Sequence, residues 1–200
     1  MSTQALSKRV TLLSLTLFLS CISYACTSKL AGDKVSSLGS AAQNQNTQAE
    51  VKSPLPPPTG FVNDYADVFS PESKKRLESV LTELRTKTDI EFAVVTVETT
   101  GGQPIFDYSL AVAKGWGVGP KDTTKGGGLL LMLAVKDRQW RLQVSRSLEK
   151  DLSDEVSKEL GEESRGLYQQ GKYAEGAIKY VAAVIARLEE IKGFKLSEKL

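Results

Sequence analysis

The sequence predicts a single α/β domain, a three-layer α/β/α sandwich built on a small mixed sheet. Two observations carry that reading. Short, apolar, β-branched runs alternate with amphipathic helical segments between residues 59 and 193, and one pair of strands is joined by a tight hairpin. No period of 20 to 50 residues repeats, which excludes a solenoid. The 200 residues, 40% hydrophobic and 25% charged, fit one such domain with chain to spare.

Ser70-Pro71-Glu72 supplies an N-cap, a first-turn proline and a first-turn acid. Leu77, Val80, Leu81 and Leu84 follow on one face, so a helix is predicted over 71–87. Glu91 to Val97 is short, apolar and β-branched, the pattern of a strand covered on both sides, and Gly101-Gly102 closes it. Pro104 opens a second helix through Lys114 that buries Ile105, Tyr108, Val112 and Trp116. Gly115, Gly117, Gly119 and Pro120 end it. Leu129 to Val135 is the next strand, and Gln139 to Val144 alternates around Trp140, Leu142 and Val144, with Lys136-Asp137-Arg138 as the hairpin turn. Asp151 or Ser153 caps a helix carrying Val156, Leu160 and Leu167, and Tyr173, Ala177, Val181, Val184 and Leu188 mark a closing helix. The predicted order is α, β, α, β, β, α, α.

The N-terminal part has a different character. Lys8 and Arg9 precede an apolar run from Leu12 to Leu19, and Ser23-Tyr24-Ala25 offers small residues where a signal peptidase reads, so residues 1–25 are expected to be a cleaved export signal. The run is about half the roughly 20 residues a membrane-spanning helix needs. Cleavage would leave Cys26 first, as in a lipobox whose thiol is acylated. Ser23 stands where a lipobox usually has leucine, so a lipid anchor at Cys26 and plain secretion both remain open. Residues 26–58 are rich in Ser, Gln and Pro, with no aromatic residue, and are expected to form a disordered tether ahead of a domain over 59–193 and a tail over 194–200.

Composition removes several chemistries. With no histidine, Ser-His-Asp and Cys-His activation and His-ligated zinc are excluded, and both cysteines, Cys21 and Cys26, precede the domain. Loss of Lys8 and Arg9 with the signal takes 26 basic residues to 24, equal to the 24 acidic ones, so charge gives no support to nucleic-acid binding. The triple glycine at 126–128 matches no phosphate-binding motif and reads as a loop entering a strand.

Val62-Asn63-Asp64-Tyr65-Ala66 followed by Phe69-Ser70-Pro71-Glu72 resembles the opening of the TPM domain, named after thylakoid lumen, photosystem II repair and acetylcholine-receptor-modulating proteins. Further blocks follow in order: Ala93 to Val97, Trp116 to Gly119, Gly128 to Leu131, Leu148-Glu149 with Leu152-Ser153-Asp154, and Gly171 to Gly176. The resemblance implies an exported or lipid-anchored member. Members of that family bind calcium or similar cations in some cases, one plant branch is an acid phosphatase and others assemble or repair membrane complexes, so two readings are carried for this chain: an assembly or repair factor for an envelope protein partner, or a phosphatase dependent on calcium or magnesium. The positions matching the family's acidic sites are Asp64, Asp122, Glu149 and Asp154, expected to gather at one edge of the sheet around a hard cation. Against that pattern, the loops carry Lys125 and Arg146, cations able to neutralise a carboxylate in place of a metal. The expected location is the periplasm or cell envelope.

Overall fold

The computed structural model describes residues 52–122 and 125–200. Its elements are β1 (Val62–Asp64), α1 (Pro71–Thr88), β2 (Ile90–Val97), α2 (Ile105–Trp116), β3 (Gly127–Ala134), β4 (Gln139–Val144), α3 (Asp154–Gln169) and α4 (Tyr173–Lys192). All seven predicted elements form. The short β1 was not foreseen, because three residues carry no readable periodicity.

The four strands lie in the order β1-β2-β3-β4, parallel except for the antiparallel β4. Alternation along β2 and β3 divides their side chains between two cores. Phe92, Val94, Leu129, Leu131 and Leu133 face α1 and α4, while Ala93, Val95, Val97, Leu130, Met132 and Ala134 face α2. Both strands are therefore covered on both sides, as their continuous apolar runs require. The connections through α1 and α2 each step one strand in the same direction but cross opposite faces. They are consequently of opposite hand, and one departs from the usual right-handed rule.

α1 begins as its sequence predicts, with the Ser70 hydroxyl accepting from the Ser73 amide and Pro71 in the first turn. α3 is capped by Ser153, and Val156 and Leu160 pack on the larger core as expected, but the residues it buries most deeply are Ser157, Gly161, Ser164 and Tyr168, a row shifted by one position. Packing on α4 explains the shift. A Cβ on Gly161 would stand 3.3 Å from the Tyr180 ring, and one on Gly176 would strike the Tyr168 ring, so each helix offers a small residue where the other brings a tyrosine.

The packed body extends past both expected limits. Leu55 joins the α2-side core, and Ser53 runs so close to Gly115 that a side chain there would strike its backbone. At the other end Leu196 is buried and Leu200 packs on the larger core. The proposed signal, Cys26 and the tether up to residue 51 lie outside the described residues.

Candidate functional site

The four acids occupy separate places. Asp64 ends β1, and its carboxylate accepts the amides of Val68 (3.2 Å) and Phe69 (2.9 Å) and the hydroxyl of Thr96. It thereby fixes the turn into α1, in which Asp67 takes a left-handed φ of 52°. Asp154 stands in the first turn of α3, where the helix dipole favours an anion, and accepts from Arg141 Nη2 at 2.9 Å. Glu149 is exposed between β4 and α3. Asp122 is exposed in the loop before β3, its carbonyl accepting the Lys125 amide at 3.3 Å.

Strand pairing sets these positions apart. Asp64 is level with Thr96, whereas the loop of Asp122 enters β3 level with Ile90, at the sheet end where β4 exits toward Glu149. Six residues of β2 separate the two levels, roughly 20 Å at about 3.3 Å per residue. An ion with bonds of about 2.3 to 2.6 Å cannot bridge them. Asp122 and Glu149 thus share one end of the sheet with the exposed Lys125 and Arg146, Asp64 belongs to the other end, and Asp154 is held by Arg141. Among the described residues no three His, Cys, Asp or Glu side chains come together to hold a metal ion.

The glycine-rich end is built for close approach. Gly126 has φ of 64°, and a Cβ there would meet the Asp89 carbonyl; one on Gly128 would meet that of Val118. Three amides at this end have acceptors within the fold: Gly119 donates to Glu91, Gly127 to the Asp89 carbonyl and Gly128 to the Ser145 hydroxyl. They are not presented to a phosphate. A largely apolar cavity of about 230 Å³ adjoins them, bordered by Ala113, Val118, Gly128, Gln143 and Ser145.

Several working side chains went unread in the sequence. Glu78 on α1 accepts the amides of Phe61 (3.0 Å) and Val62 (2.7 Å). Asp137 in the hairpin accepts the Thr100 amide and the Thr99 hydroxyl, and these bonds, the Thr100 amide first, hold its carboxyl below the usual range. Arg76 on α1 donates to the carbonyl of Lys199. Glu162 on α3 pairs with Arg165 at 2.7 Å.

Among the described residues, a dense polar network surrounds the C-terminal segment. Glu189, only 5% exposed, accepts the Leu196 amide and the ammonium groups of Lys195 and Lys199. Burial pushes its carboxyl up, but those three donors outweigh burial and hold it at about 2. Glu83 on α1 is also held at about 2, by Lys87 first and then by the Ser197 amide. Leu196 and Leu200, four apart in a segment read only as a tail, were the available signal.

A sequence profile of the TPM domain matches residues 62–187, more than half of the chain. The chain belongs to the TPM domain family. No curated protein matches. Among solved structures, this TPM domain is similar to the N-terminal domain of a protein from P. gingivalis, at 29% identity over 70% of this chain and 88% of that one, with a TM-score of 0.60. It shares its fold with the N-terminal domain of the cg2496 protein of Corynebacterium glutamicum (15% identity, 76% and 95% coverage, TM-score 0.51). The same holds for the BA42 protein of the psychrophilic bacterium Bizionia argentinensis (17%, 62% and 84%, TM-score 0.53).

Proposed function

We propose that this TPM-domain protein is an exported factor of the cell envelope, carried on its N-terminal spacer and acting by holding or assembling a protein partner. The observation that carries the proposal is the commitment of Asp64. Both of its oxygens serve the turn into α1, so the first acid of the candidate ion site is a structural group. The charged start, short apolar run and small residues before Cys26 support export, with Cys26 as the point of membrane anchorage if it is acylated.

Mass spectrometry of the protein from fractionated cells tests this reading. The expected mature chain starts at Cys26, and cross-linking in intact cells is expected to join it to an envelope protein. A chain retaining Met1 in the soluble cell interior would overturn the export reading.

The second reading is a phosphatase dependent on calcium or magnesium. Asp122 and Glu149 favour it, being exposed carboxylates at the same end of the sheet, the end that also carries the paired hydroxyls of Ser145 and Ser147. Phosphate release from a generic aryl phosphate that needs added cation and is lost in Glu149→Gln would establish it.

A further inference from the structure

After α4, Gly193 turns the chain with φ of 70°, and the last residues run back over the groove between α1 and α4. None of residues 195–200 makes a backbone–backbone hydrogen bond to the described residues. Side chains of the two helices hold the segment instead. Glu83 accepts two successive amides, Ser197 at 2.8 Å and Glu198 at 3.2 Å. Lys87 donates to the Lys195 carbonyl at 2.9 Å, and Arg76 donates twice to that of Lys199, at 3.2 and 2.6 Å. These contacts read backbone and are indifferent to sequence. Selectivity comes from two other features: the buried Glu189 carboxylate, which takes both lysines, and the apolar seats of Leu196 and Leu200. Leu200 borders a cavity of about 230 Å³ lined by Val80, Ala182, Ile185 and Ala186.

A segment outside both helix and sheet, gripped along its backbone by side chains and seated by two leucines, is bound as a peptide ligand is bound. We propose that the α1–α4 groove is a peptide-recognition site and that Lys195–Leu200 is its resident, exchangeable ligand. The occupant in trans is an extended segment of a partner protein with leucine-sized side chains four residues apart and a lysine just before the second. The partner's role in the cell rests on the interaction reading above; the groove's capacity for peptide does not. Because the resident segment competes at high effective concentration, affinity in trans is scaled down to the fraction of open groove.

The test uses the full chain and a fluorescein-labelled synthetic peptide with the sequence of residues 194–200, read by fluorescence anisotropy. Wild type is expected to bind weakly. Leu196→Ala loosens the resident segment and is expected to raise affinity for the added peptide at least tenfold, by raising the fraction of open groove. Lys199→Ala, at an exposed side chain, should move affinity the same way and serves if Leu196→Ala fails to fold. Glu83→Gln is expected to remove the gain when combined with either. Equal affinity of wild type and both tail variants, or equal binding of a scrambled peptide, overturns the proposal. Failure to cross-link an envelope partner would count against the interaction reading and leave the anisotropy result standing.

Discussion

Asp64 and Thr96 stand side by side on parallel strands, paired in register, and their side chains are hydrogen-bonded to each other. With the two turn amides that Asp64 also accepts, the pair fastens β1, the turn and the end of β2 at one point. Asp64→Ala should leave two amides and a buried hydroxyl without their acceptor, at a cost of about 2 kcal/mol or more. Urea denaturation of the variant checks this, and stability equal to wild type would show that the carboxylate has no structural role.

The glycine-rich entry to β3 leaves no room for a side chain. Gly128→Ala should push the new methyl into the Val118 carbonyl, which belongs to a backbone that cannot swing aside as a side-chain tip would. The expected loss is about 2 kcal/mol, in the range of overpacked cores. Thermal melting of the variant measures it.

A chain beginning at Lys52 should be as stable as one with the full N-terminal region, whereas one beginning at Thr59 should lose the packing of Leu55. That loss is about 1 kcal/mol for a partly buried leucine, or a few degrees in Tm. Differential scanning calorimetry of the two lengths gives the answer, and equal Tm values would move the domain boundary back to Thr59.

Acid should loosen the C-terminal segment. Glu83 and Glu189 are held at about 2 in the folded chain, below the ordinary value near 4.3 that an unfolded chain restores. A lowered carboxyl contributes stability above its unfolded value, and that contribution disappears as pH falls toward the folded one. The Tm should therefore drop between about pH 4.5 and pH 2. Glu189→Gln should flatten part of that slope, which melts across the acid range will show.

Millimolar calcium should leave the Tm unchanged, because the acids on which a four-carboxylate site depends lie at opposite ends of β2. An ion bound at 100 times its dissociation constant would add about 2.7 kcal/mol. A rise of that order, abolished by Glu149→Gln, would favour the phosphatase reading.

The elements were legible where side chains repeat with a period and their ends carry capping chemistry, as in α1, where Ser70-Pro71 marks the start and Leu77, Val80, Leu81 and Leu84 the face. α3 shows the limit. Beside Val156 and Leu160, which do pack on the core, its most deeply buried row includes Ser157, Gly161 and Ser164, and a hydrophobic pattern cannot register smallness. The candidate acids were legible as residue types but not as neighbours. Whether Asp64 meets Asp122 depends on strand direction and register, and those follow from the pairing of residues far apart in sequence. The grip on the C-terminal segment was hidden for the same reason: Glu83 and Ser197 are 114 positions apart.

The docking of the last residues also sets an order of events during synthesis. Arg76, Glu83 and Lys87 lie near the start of the domain, yet their partners, residues 195, 197, 198 and 199, are more than a hundred positions downstream. While the ribosome is still adding α4, the outer face of α1 has nothing to close it, and the slow, long-range step of folding must wait until the whole domain has emerged.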